Sequence, residues 1–94
     1  MHIAEFQKQI ERIYYERDAA RGLAGTHMWF CEEVGELTRA LRRDDRRELE
    51  GEFADVLAWL STLASIAQID LEGAVQRKYG QGCPRCKAAP CACA

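Results

Sequence analysis

The sequence predicts an all-α protein: an antiparallel helical bundle of about four helices that oligomerises and ends in a short cysteine-rich tail. Three features predict it. Apolar residues recur in steps of three and four along most of the chain, and no strand-like alternation is sustained. Breaks at Gly22-Leu23-Ala24-Gly25, at Asp44-Asp45 and at Asp70 divide that pattern into segments. Four of the five cysteines fall between Cys83 and Cys93, and the stretch from Gln81 is too rich in Cys, Pro and Ala to extend a bundle. The expected organisation is an all-α domain over residues 1–80 and a tail over residues 81–94.

The first helix is expected over Ile3 to Arg21, with Ile3, Phe6, Ile10 and Ile13 as its apolar stripe. The Gly22–Gly25 segment ends it. Thr26 is the expected cap of a second helix running to Arg43, with Phe30, Val34, Leu37 and Leu41 as its core stripe. Asp45 followed by Glu48 resembles a capping box with Asp in place of Ser or Thr, and opens a third helix to about Gln68. Its stripe is Leu49, Phe53, Val56, Leu60, Leu63 and Ala67. Asp70 caps a short fourth helix that Gly80 closes.

Charge and size narrow the function. Thirteen Lys and Arg against fifteen Asp and Glu leave a net charge of −2, which argues against a strongly basic nucleic-acid binder. The five arginines Arg39, Arg42, Arg43, Arg46 and Arg47 read as a solvated helix end. The longest apolar-looking run, Phe53 to Ile69, carries Asp55 and Gln68, so no membrane span is expected. The opening Met1-His2-Ile3-Ala4-Glu5 lacks the basic-then-apolar order of a signal peptide, which points to the cytosol. A core of about 80 residues rarely supplies more than about 3–5 kcal/mol, so a homodimer or homotetramer is expected.

One position before the core residues lie the acids. On the second helix that row is Trp29, Glu33, Glu36, Ala40, and on the third it is Glu52, Asp55, Trp59. Both rows are offset from their stripes in the same sense, by about 100°. In an antiparallel hairpin such rows fall on the same side. The pairs Glu33/Glu36 and Glu52/Asp55 are equally far from the turn at Asp44, so they lie level to within about 1.5 Å. Four carboxylates thus converge, with Glu32 at one edge. Like charges so placed repel unless a cation lies between them, and all-oxygen ligands suit Mg²⁺, Mn²⁺ or Ca²⁺. Metal-assisted phosphoryl-type hydrolysis is the natural chemistry. The competing reading is a solvated face with plain i,i+3 pairs such as Glu36 with Arg39.

Glu32-Glu33-Val34-Gly35-Glu36-Leu37, followed by Glu52-Phe53-Ala54-Asp55-Val56-Leu57, resembles the MazG-like nucleotide pyrophosphohydrolases of the all-α NTP pyrophosphatase group. Their pattern is Glu-Glu-x-x-Glu, a spacer, then Glu-x-x-Asp. The similarity extends over Thr26 to Tyr79. It implies Mg²⁺-dependent hydrolysis of a (deoxy)nucleoside triphosphate to the monophosphate and pyrophosphate, in the service of nucleotide-pool house-cleaning. It also implies Glu33, Glu36, Glu52 and Asp55 as metal ligands, and Glu32 as a second-metal ligand or the catalytic base.

Lys78 is a candidate for phosphate contact, against the plain alternative of a dipole-favoured lysine at a helix C-terminus. Trp29 and Trp59 could stack on a base, against packing at a helix interface. His27 and Cys31 share a face, but nothing in the sequence orients the base of a Cys–His pair. Cys83-Pro84-Arg85-Cys86, then Cys91-Ala92-Cys93, places four thiolates at spacings that can wrap a structural Zn²⁺. Two alternatives stay open: a non-catalytic, zinc-tailed helical interaction module, and the same chemistry on a modified nucleotide.

Overall fold

A computed structural model describes residues 1–94. It contains four helices and no strand: α1 (Ile3–Arg21), α2 (Leu23–Arg43), α3 (Arg46–Ile66) and α4 (Leu71–Tyr79). No single helix is long and apolar enough to cross a membrane. The long helix α3 is the centre. It packs against α2 through the tight Asp44-Asp45 turn and against α1 on another side, while α4 packs on α1.

The ends follow local chemistry, with four departures from expectation. First, the break between α1 and α2 is Gly22 alone, at φ 90° and ψ 168°, a region open essentially only to glycine. The second helix therefore begins at Leu23, and Thr26 lies inside it, buried, with its hydroxyl donating to the Asp18 carbonyl at 3.4 Å. Second, the capping box of α3 is half formed. The Asp45 carboxylate accepts from the amides of Arg47 and Glu48, whereas the Glu48 carboxylate takes Arg43 at 3.4 Å. Third, α3 stops at Ile66. Gln68 adopts the left-handed conformation at φ 61°, and the amides of Gln68 and Ile69 bond back to the carbonyls of Ser65 and Ala64. That double bond is a Schellman ending with a side chain where glycine is usual. At the fourth helix, Asp70 occupies the cap position but its side chain does not bond the helix amides. The Leu71 amide instead donates to Gln7 of α1 at 3.0 Å.

The apolar stripes have the expected period, but half of their residues face outward. Only Ile10, Ala40 and Leu49 are buried apolar residues. Ile3, Ile13, Val34, Leu41, Phe53, Leu60 and Ala67 of the expected core are exposed, Phe53 by 54%. The α1–α3 interface is polar in their place. The Gln7 amide nitrogen donates to Ser65 Oγ at 3.1 Å and to the Ile69 carbonyl at 2.9 Å, and Ser65 Oγ donates to Glu11 at 2.7 Å. Small side chains let the helices approach, and these hydrogen bonds satisfy Gln7 and Ser65, whereas the buried Ser61 Oγ has no partner. The apolar seams are left facing outward. The chain exposes 7015 Å², against about 5,500 Å² for a compact monomer of this mass. Its radius of gyration is 15.4 Å, against about 12.4 Å for a compact domain of this length.

Candidate metal centre

Glu33 and Glu36 stand one turn apart on α2 and meet Glu52 of α3 across the hairpin. All three are half-buried, and one oxygen from each lies within 4.8 Å of the others. The short turn enforces this, because it holds the two helices antiparallel and the two rows level. Glu33 Oε2 and Glu52 Oε2 are buried with no hydrogen-bond partner. An orphaned, buried carboxylate oxygen is costly unless a cation or donor satisfies it.

The electrostatics agree. Burial, then a shared hydrogen bond with Glu36 and the negative charges of Glu36, Asp55 and Glu52, push the Glu33 carboxyl up to about 7. Glu52 is also raised, by loss of solvent and by Glu36, Asp55 and Glu48, with Arg39 pulling the other way. Three half-buried acids with too few donors form a site whose charge invites a hard cation held by oxygen ligands. An all-oxygen donor set of this kind fits Mg²⁺, an ion that keeps several waters or phosphate oxygens in its shell.

Asp55 is exposed and stands outside the tight trio, although its charge reaches both Glu33 and Glu52. It lines a cleft of about 140 Å³ together with Tyr14, Arg17 and Asp18 of α1 and Trp59 of α3. Glu32 is exposed beside Glu33 and is not part of the trio. Trp29 and Trp59 stack on each other, centroids 6.3 Å apart, and the Arg21 guanidinium covers Trp59 at 5.3 Å. Lys78 lies in the last turn of α4, its ammonium 5.8 Å from the Tyr79 ring. Cys31 Sγ is 3.8 Å from His27 Nε2, both exposed.

Sequence reasoning missed two contributors. Arg39, read as part of a solvated arginine run, acts on Glu52. The cleft also takes Tyr14, Arg17 and Asp18 from α1. Asp18 is buried and paired with Arg21 at 3.0 Å. The available signal was the step of four, three, four through Gln7, Glu11, Tyr14 and Asp18, which marks one helix face.

In the tail, the sulfurs of Cys83, Cys86, Cys91 and Cys93 all lie within 4.8 Å of one another. Backbone amides of Ala92 and Ala88 bring the Cys86 thiol down to about 6, and those of Cys86 and Arg85 lower Cys83. Neighbouring thiols, Cys91 first, push Cys93 up to about 11.

A family model described as the MazG nucleotide pyrophosphohydrolase domain matches residues 22–86, which takes in both acid pairs and the first half of the cysteine cluster. No curated protein matches the chain.

Proposed function

Since the chain belongs to the MazG nucleotide pyrophosphohydrolase family, we propose that it hydrolyses (deoxy)nucleoside triphosphates to monophosphate and pyrophosphate with Mg²⁺ held by Glu33, Glu36, Glu52 and Asp55. The observation that carries this reading is the pair of buried, partnerless oxygens on Glu33 and Glu52 within a trio of carboxylates. Held by these carboxylates, Mg²⁺ would supply positive charge for phosphate oxygens and make water easier to deprotonate.

The chain's own residues do the rest. Glu33, Glu36 and Glu52 are fixed on two helices, so the ligand oxygens are preorganised rather than recruited from loops. Asp55 joins the acid cluster to the cleft, and so brings the substrate's phosphates and its nucleoside into one line. Trp59, stacked on Trp29 and covered by Arg21, walls the cleft, and Arg17 offers it a cation. Glu32, outside the trio and open to water, takes the proton from the water that attacks the α-phosphorus as the bond to pyrophosphate breaks. The reaction suits house-cleaning of the nucleotide pool in the cytosol.

The active form in this reading is a homo-oligomer. Leu23, His27, Val34 and Leu41 on α2, and Phe53, Leu57, Leu60 and Ala67 on α3, are exposed at steps of three, four and seven. Two such seams side by side on one hairpin match what a second hairpin would present, and joining them gives a four-helix bundle. The excess surface of the single chain supports the same conclusion. Light scattering at micromolar concentration should give a dimer or tetramer mass, and a monomer mass refutes this part.

The function itself is tested by pyrophosphate release over the common NTPs and dNTPs, with Mg²⁺, Mn²⁺ and EDTA arms. The expected result is EDTA-sensitive release with a monophosphate product. Release of orthophosphate, or turnover indifferent to EDTA, overturns the proposal. A folded protein inert on every common nucleotide moves the modified nucleotide ahead as substrate.

A further inference from the structure

The helical site leaves the tail unused, yet the tail folds so that its four cysteine sulfurs gather within 4.8 Å of one another. Cys83 Sγ lies 3.8 Å from Cys93 Sγ and 3.6 Å from Cys91 Sγ, and Cys86 Sγ lies 4.0 Å from Cys91 Sγ. A tetrahedral tetrathiolate with Zn–S of about 2.3 Å has sulfur–sulfur edges of about 3.8 Å. These three edges straddle that value. They are far longer than the S–S bond of about 2.05 Å in a disulfide.

The backbone supports the same arrangement. The Ala92 amide donates to Cys86 Sγ at 3.2 Å and the Cys93 amide to Cys91 Sγ at 3.4 Å, so the backbone holds both sulfurs in place. The loop is closed by the Cys83 amide on the Ala88 carbonyl at 3.0 Å and the Lys87 amide on the Cys83 carbonyl at 2.7 Å. Lys87 takes φ 63° and Gly82 takes φ 109°, and a Cβ on Gly82 would come within 2.9 Å of the Ala88 oxygen. Arg85 and Lys87 within this turn supply positive charge beside a centre that would carry two negative charges. Thiolate ligands in tetrahedral array select zinc over the hard cations of the helical site.

We infer that Cys83, Cys86, Cys91 and Cys93 bind one Zn²⁺ per chain as a structural tetrathiolate that fixes the segment after α4. Four thiolates leave no open coordination position, so the centre braces the fold and takes no substrate. The inference stands apart from the hydrolase reading, because it uses none of the carboxylates.

The test uses the full, untagged chain purified under reducing conditions. Elemental analysis should give one zinc per chain, and native mass spectrometry one zinc adduct. Cobalt exchanged for zinc should show the intense visible absorption of a tetrahedral thiolate site. Cys86→Ser and Cys91→Ser should each lose the zinc and the cobalt spectrum, while their helical circular dichroism reports whether the bundle is still folded. Cys31→Ser and Glu36→Gln should keep both, which separates this centre from His27–Cys31 and from the acid trio. Four free thiols that take up neither metal, disulfides formed under reducing conditions, iron in place of zinc, or zinc retained in a Cys86→Ser/Cys91→Ser double variant would each overturn the inference.

Discussion

Three carboxylates meet between α2 and α3, and four thiols meet in the loop after α4. Both groupings force like-charged ligands together, but their surroundings differ. The carboxylates stand on rigid helices and lack donors, so two of their oxygens are buried without a partner and Glu33 is pushed up to about 7. The thiols stand in a loop whose amides point at them, so Cys86 is brought down to about 6. The first arrangement withholds compensation and leaves it to a cation and its waters. The second carries part of its compensation in backbone amides at Cys83 and Cys86, while Cys93 is pushed up to about 11 by its neighbours, and four gathered thiols suit a permanently held ion. That contrast separates a centre suited to chemistry, with exchangeable ligands, from one suited to holding a chain in place.

The comparison breaks most sharply at Glu36. Glu36→Gln removes one carboxylate of the trio and one negative charge while keeping the shape. Mg²⁺-dependent turnover should fall by at least about 100-fold, because the ligand shell loses a member. The metal-free fold should hold or gain thermal stability, because Glu33 and Glu52 lose a repelling neighbour. Steady-state kinetics beside a melting curve checks both signs. Full turnover, or a variant that unfolds, would mean that Glu36 serves the fold and not the cation.

Much of the fold was legible because it rests on local chemistry. The 3.6-residue period, Gly22 and Asp45 set the helices, and α1 runs over the expected Ile3–Arg21. The start of α2 was misplaced because Thr26 looks like a cap, whereas Gly22 begins a helix by its backbone alone. The orientation of the stripes was not legible in one chain. A 4-3 apolar seam has the same appearance whether it meets its own chain or another, and here the chain's inner contacts use Gln7, Asp18, Ser61, Thr62 and Ser65. The acid trio was legible because it depends only on helix spacing and a short turn. Asp55 follows the same spacing but opens onto the cleft. The Tyr14–Arg17–Asp18 wall was hidden because its face of α1 carries little apolar signal.

The most direct test is the thermal midpoint of the purified protein with and without Mg²⁺ across the range in which Glu33 titrates. Its folded value, about 7, lies above its ordinary 4.5. A raised carboxyl contributes stability that is fully present below about 4.5 and is lost as pH rises through about 7. Metal-free protein should therefore lose stability over that window, with Glu52 acting in the same direction. Mg²⁺ should restore the midpoint above pH 7, where Glu33 is mostly ionised, and restore it much less in Glu36→Gln. A wild-type midpoint that ignores Mg²⁺ above pH 7 would contradict the claim that these carboxylates form a cation site.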